Sequence, residues 1–207
     1  MHVMPWVRQS LWLMAAASLM ALAYISLALG NEWLLASTKY GKGVNWVYVP
    51  AGLRLTFVLI MPWAGAIAIS IGSFAMALRD PDLNILLAAL NGVVTGIAPV
   101  LARQVAIAQM GLSDDLHELN RALLIKLCVL FGLFSSTCHQ AFFAWLGRDA
   151  GLFAGAIPMF VGDTLGALVC FLVTVADVPI FNIGAAFWGL VFGLLTTRVL
   201  LPARTPR

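Results

Sequence analysis

The chain has 207 residues, of which 62% are apolar and only 10% charged, with a formal net charge of +3. A soluble domain carries about 25% charged residues, so a water-exposed catalytic domain is excluded; lipid is the solvent in which so few charges suffice. The small basic excess sits near the ends of apolar runs, which speaks for orientation in a membrane and against nucleic-acid binding.

A membrane-crossing helix needs about 20 apolar residues. The length therefore predicts an all-α, polytopic transmembrane helix bundle of about six spans, forming one integral membrane domain over residues 1–207. The first apolar run is Leu11 to Leu29, preceded by Arg8. Ser26-Leu27-Ala28 resembles a signal-peptide cleavage site, but the run is long and more spans follow, so it reads as a retained signal anchor. Asn31 to Pro50 interleaves Glu32, Lys39 and Lys42 with Trp33, Tyr40, Trp46 and Tyr48. Aromatic residues with polar tips favour the membrane–water boundary, and the segment reads as an interfacial loop.

Ala51 to Leu78 is one apolar stretch, containing Arg54 and interrupted by Pro62-Trp63-Ala64-Gly65. One kinked span is the preferred reading because each half is shorter than a span; a hairpin of two segments is the alternative and gives seven. Leu83 to Met110 follows, with Pro99 and Arg103 in its second half. Ser113 is placed to cap the helix after it, with Asp114, Asp115 and Glu118 in a first turn. Leu123 to Leu146, Leu152 to Val175 and Ile180 to Leu201 complete the six.

With six spans, Arg8, Arg79, Arg148, Arg198, Arg204 and Arg207 share one side, opposite Lys39, Lys42 and the acidic 114–118 loop. The positive-inside rule then makes both termini cytoplasmic, in a bacterial inner membrane.

An ionisable residue at mid-bilayer costs about 2.5–3.5 kcal/mol on insertion scales, so each needs a reason to be there. Asp163 is the foremost, in Gly162-Asp163-Thr164-Leu165-Gly166. Gly162 and Gly166 lie four apart, on one helix face, where they favour close helix packing. Asp163 reads either as a ligand, ion or proton site or as half of a structural ion pair with Arg54 or Arg103. His139 lies in the polar run Ser135-Ser136-Thr137-Cys138-His139-Gln140, and Asn91 lies beside Gly92 and Gly96; both read as interhelical hydrogen-bonding residues. Lys126 is near a span end and can snorkel. Cys128, Cys138 and Cys170 have no metal or redox spacing and read as small buried hydrophobes. No nucleotide-binding, zinc-protease or hydrolase motif occurs. Neither enzymatic activity, metal nor cofactor is expected.

Three segments resemble one family. Asn45-Trp46-Val47-Tyr48-Val49-Pro50-Ala51-Gly52-Leu53-Arg54-Leu55, the run from Asn91 to Leu101-Ala102-Arg103, and Gly162-Asp163-Thr164-Leu165-Gly166 are similar to elements of the membrane-associated sensor (MASE-type) domains. The resemblance implies a bacterial inner-membrane input module. With no output domain after Arg207, it would be a stand-alone one that binds a small ligand or a partner membrane protein and relays to a separate signalling chain. Two alternatives stand beside it. In size and topology the chain is similar to the substrate-binding S-components of energy-coupling-factor transporters, with Ala15, Ala16, Ala17, Ser18 and Ala21 as a helix-docking face. The other alternative is a structural subunit of a membrane complex.

Overall fold

The computed structural model describes residues 5–41, 43–147 and 154–175, with side chains for 9–41, 43–147 and 154–172. Within these it is an all-α bundle of six helices: α1 (Pro5–Leu34), α2 (Pro50–Ile60), α3 (Pro62–Ala77), α4 (Ile85–Met110), α5 (Arg121–Trp145) and α6 (Ala156–Val175). Three stretches among the described residues are long and apolar enough to cross a membrane: Gln9–Leu34, Ile85–Met110 and Arg121–Trp145. The sixth expected span, 180–201, lies outside the described residues, as do Arg148 and the C-terminal arginines.

Between α1 and α2 the chain is not wholly loop. A 3-10 turn (Ala36–Thr38) leads into two short antiparallel strands, β1 (Lys39–Gly41) and β2 (Val44–Asn45). Gly43 turns between them at φ +71°, a backbone region that residues with a Cβ rarely adopt. A Cβ there would also come within 3.2 Å of the Phe143 ring, so the turn sits directly on α5.

The expectation of one kinked span over 51–78 is corrected. Pro62 lacks an amide hydrogen and disfavours helical backbone at Met61, which takes φ −135° and ψ 82°. The chain then doubles back: a Cβ on Gly65 would lie 2.5 Å from the Phe57 carbonyl oxygen. Both ends of the resulting hairpin meet the same end of α1. At the start of α2, the Val49 amide donates to Asn31 Oδ1 at 3.0 Å. At the end of α3, Arg79 pairs with Glu32 at 2.8 Å. The physical reason is length. At 1.5 Å per residue the two arms reach about 17 and 24 Å, short of the roughly 30 Å hydrocarbon core.

The hairpin also undoes the charge segregation used to orient the chain. Arg79 lies at the C-terminal end of α1, with Glu32, whereas Arg8 belongs to the N-terminal end of the same helix. Arg79 and Lys39, expected on opposite sides, line one cavity.

α4 begins at Asn84, whose side chain accepts from the Leu87 amide at 2.9 Å, and ends at Gly111 with φ 73°. α5 is capped by Asn120, which accepts from the Leu123 amide at 3.0 Å. Ser113 therefore does not cap the next helix. Its hydroxyl instead ties Asp115 and Glu118 within the 111–120 loop. Those contacts hold both carboxyls below the ordinary carboxylate range, the Ser113 hydroxyl being the leading cause at each.

α3 and α4 pack through Gly92 and Gly96, which lie against the Ser70 and Ala66 carbonyls. Two apolar clusters result. One joins Ala16, Met20, Ala21 and Tyr24 of α1 to Phe57, Val58 and Ile69 of the hairpin. The other joins Leu55 and Leu59 of α2 to Ala102, Leu127, Phe131 and Ala167. Ala16, Ala17 and Ala21, read as a surface for docking a partner helix, pack inward in the first cluster.

Candidate functional site

Arg54 on α2 and Asp163 on α6 form an ion pair at 2.9 Å, with residue exposures of only 2% each. Hairpin geometry makes the pair possible, because α2 runs alongside α6. A Cβ on Gly52 would meet the side chain of Cys170 and would lie 3.1 Å from the Gly166 carbonyl oxygen. Burying both ions costs several kcal/mol each, and pairing offsets this only with good geometry and further hydrogen bonds. Arg54 has some of these. Its Nη1 donates to Ser135 Oγ at 3.4 Å, and its guanidinium carbon lies 5.0 Å from the Tyr48 ring centroid and 5.7 Å from that of Phe131. The satisfaction is incomplete. Arg54 Nε, Asp163 Oδ2 and Thr164 Oγ1 are buried without a hydrogen-bond partner among the described residues.

Gly162 and Gly166 were expected to admit another helix. What they mainly admit is the extended backbone before α2. A Cβ on Gly162 would collide with the Asn45 carbonyl oxygen, and one on Gly166 with that of Tyr48. The Tyr48 amide donates to the Gly162 carbonyl at 3.1 Å. This seats Tyr48 in the interior, where its hydroxyl lies 3.1 Å from that of Tyr24.

A second polar group continues from the pair. His139 Nδ1 lies 2.8 Å from the Ser135 carbonyl oxygen, which can only accept, so that nitrogen carries a proton. Nε2 lies 3.1 Å from Thr95 Oγ1. Thr95 Oγ1 is also 2.7 Å from the Asn91 carbonyl oxygen and 2.8 Å from Ser73 Oγ. Asn91 Nδ2 donates to Ser73 at 3.2 Å. Hydrogen bonds thus run from Asn91 on α4, through Ser73, Thr95, His139 and Ser135, to Arg54 and Asp163.

Four of the five polar residues singled out in the sequence, Asp163, Arg54, His139 and Asn91, meet in this network. Arg103 does not. It lies toward the other end of α4, pairing with the exposed Asp114 at 2.8 Å, so Arg54 is the partner of Asp163. Sequence reasoning missed Tyr24, Tyr48, Ser73, Thr95 and Ser135. Two of these carried a signal: Thr95 is four residues from Asn91 and Ser135 four from His139, each pair on one helix face.

The network borders a cavity of about 760 Å³, within the size range of small-molecule sites. Glu32, Lys39, Arg79 and Asp80 line its outer part, and Arg54, Asp163, His139 and Thr95 its inner part. Tyr24, Tyr48 and Phe143 add aromatic surface. No group of three or more potential metal ligands occurs among the described residues.

Comparison with models of protein families finds no match. No curated protein matches, and neither does any solved structure. The three segments similar to MASE-type sensors therefore carry the likeness only as far as a helical membrane protein.

Proposed function

We propose that this protein is a membrane-embedded binding module that takes a small polar molecule into the cavity above Arg54 and Asp163 and relays its occupancy to a separate membrane or signalling protein. One observation carries the binding half: buried ionisable and polar side chains from five helices converge on one cavity of about 760 Å³. An intramembrane ionisable residue is a functional-site hypothesis in itself, because packing alone is met at less cost by apolar side chains. The relay half is supported by the resemblance to input modules, and a bacterial inner membrane is the location that goes with it. The reading is of a binding protein, and no residue is given a catalytic role.

Gentle purification followed by native mass spectrometry tests both halves. The expected result is a retained small molecule that Asp163→Ala loses, together with a copurifying signalling protein. A protein that is monodisperse, folded and free of any retained molecule removes the binding reading. Retention of a stable multiprotein assembly with no small molecule points instead to a structural subunit.

A further inference from the structure

Of the two histidines among the described residues, His117 is exposed on the 111–120 loop. His139 is buried in the bundle, on the inner wall of the cavity. Guest capture makes no use of its capacity for a second proton. Five contacts surround it. Nδ1 meets the Ser135 carbonyl at 2.8 Å and Nε2 meets Thr95 Oγ1 at 3.1 Å. Thr95 Oγ1 meets the Asn91 carbonyl at 2.7 Å and Ser73 Oγ at 2.8 Å, and Asn91 Nδ2 meets Ser73 Oγ at 3.2 Å.

Each contact takes one hydrogen between its heavy atoms. With the ring neutral, four hydrogens serve the five contacts: one on the ring, one on each hydroxyl and one from the Asn91 amide. The ring hydrogen is fixed on Nδ1, since the carbonyl opposite it only accepts. The Asn91 amide gives its hydrogen to Ser73, and Ser73 gives its own to Thr95. Thr95 is left with one hydrogen and two acceptors, the Asn91 carbonyl and Nε2. A proton on Nε2 supplies the fifth hydrogen. Nε2 then donates to Thr95 Oγ1, and the Thr95 hydroxyl turns fully to the Asn91 carbonyl. No heavy atom has to move.

The charged groups that act on the ring are Arg54 of α2 and Asp163 of α6, with opposite signs. Among the described residues α3 and α4 bring it the uncharged Ser73, Asn91 and Thr95. A buried ion is costly, so the second proton belongs to acidification, and the contacts decide which atom receives it. Ser135 connects the ring to the ion pair: its carbonyl holds Nδ1 and its hydroxyl accepts from Arg54 Nη1 at 3.4 Å.

We infer that His139 is a proton-binding site on the cavity wall, taking its second proton on Nε2 with the Thr95 hydroxyl as the receiving group. The inference goes beyond guest capture and stands without it. It makes the proton an input that this bundle can take up, one hydrogen bond removed from Arg54.

Nuclear magnetic resonance of ring nitrogens tests this on the full chain in micelles, labelled with ¹⁵N-histidine, with His2→Gln and His117→Gln leaving His139 as the observed ring. The titration runs from about pH 8 to about pH 4, with circular dichroism reporting the fold. At the alkaline end Nδ1 is expected to carry the hydrogen and Nε2 to be bare. On acidification Nε2 is expected to become protonated while helix content is unchanged. Thr95→Val removes the receiving hydroxyl and keeps the shape, and is expected to delay uptake by at least about one pH unit. Thr95→Ser is expected to restore it. The assignment is overturned by an Nε2-protonated neutral ring, by a ring that stays neutral across the range or gains its proton only as helix is lost, or by a Thr95→Val protein that titrates like the native one. Where the valine variant does not fold, the native titration decides alone.

Discussion

The Arg54–Asp163 pair makes a quantitative prediction about folding that is independent of any ligand. Arg54→Met leaves the Asp163 carboxylate buried with no counter-ion within hydrogen-bonding distance among the described residues, since Arg54 is its partner at 2.9 Å. Breaking a buried pair from one side costs about 3–5 kcal/mol. The aspartate has an escape, because taking up a proton at pH 7 costs an ordinary aspartate about 4 kcal/mol, and that caps the penalty. Asp163→Leu has no such escape, because a guanidinium stays charged at any accessible pH. It should therefore be the more damaging single substitution, even though it removes the smaller side chain. Arg54→Met/Asp163→Leu removes both ions, and apolar replacement of a buried pair is often neutral or stabilising. The double variant should then lie well above the sum of the singles, with a coupling of about 3 kcal/mol or more. Unfolding in mixed micelles, followed by helical circular dichroism, measures all four proteins. Additive losses, or an Arg54→Met variant less stable than Asp163→Leu, would refute the account of the pair as mutual charge compensation.

The hairpin predicts sidedness. In a background with Cys128, Cys138 and Cys170 replaced, Trp33→Cys and Pro81→Cys should react with a membrane-impermeant thiol reagent from one side of a vesicle, and His117→Cys from the other; a single kinked span would separate Trp33 from Pro81. Because α6 runs back toward the N-terminal end of α1, a crossing by residues 180–201 would leave the termini on opposite sides, which terminal reporter fusions can read. Gly166→Ala should destabilise by about 1–3 kcal/mol, since its Cβ meets the Tyr48 carbonyl, and thermal melts of the purified protein would show the loss. Asn120→Ala should cost about 1 kcal/mol by removing the cap of α5, measured in the same melts; Ser113→Ala, on a loop hydroxyl, should not match it. The lowered pKa values of Asp115 and Glu118 mean that their contribution to order in the 111–120 loop is present above the ordinary carboxylate range and lost as pH falls from there through their own, lower range. Hydrogen exchange in that loop should accelerate on acidification, and Ser113→Ala should remove much of the pH dependence.

What was legible in the sequence was what depends on local composition. Apolar runs located α4, α5 and α6 to within a few residues, and found α1 while missing about a turn and a half at each of its ends, because helix is how a lipid-exposed segment satisfies its own backbone. The fate of 51–78 was not legible. A proline produces a kink or a reversal through the same local geometry, and only Asn31 on Val49 and Glu32 on Arg79, contacts 18 and 47 residues apart, decide between them. The orientation argument inherited that ambiguity, since each reading sends Arg79 to a different face. For the site, cost alone was informative: Asp163, Arg54, His139 and Asn91 stood out as polar groups that lipid would penalise. Cost could not choose between Arg54 and Arg103 as the partner of Asp163. Nor could it expose Tyr48, whose neighbours Tyr40 and Trp46 made it read as one more boundary aromatic.

The reversal at Met61 is what links fold to site. Had 51–78 crossed the bilayer, one half would have lain toward each face, and Arg54 and Ser73 would have belonged to opposite halves. Folded back, the hairpin brings both to the same cavity, Arg54 against α6 and Ser73 against α4. Its arms run inward from one end, and Leu55 and Leu59 of α2 pack with Leu127 and Phe131 of α5, the Phe131 ring lying 5.7 Å from the Arg54 guanidinium carbon. A cavity bounded in this way is lined by charge at its outer end and ends on a buried ion pair. That arrangement depends on the reversal, because a single crossing helix over 51–78 would have kept Arg54 and Ser73 apart.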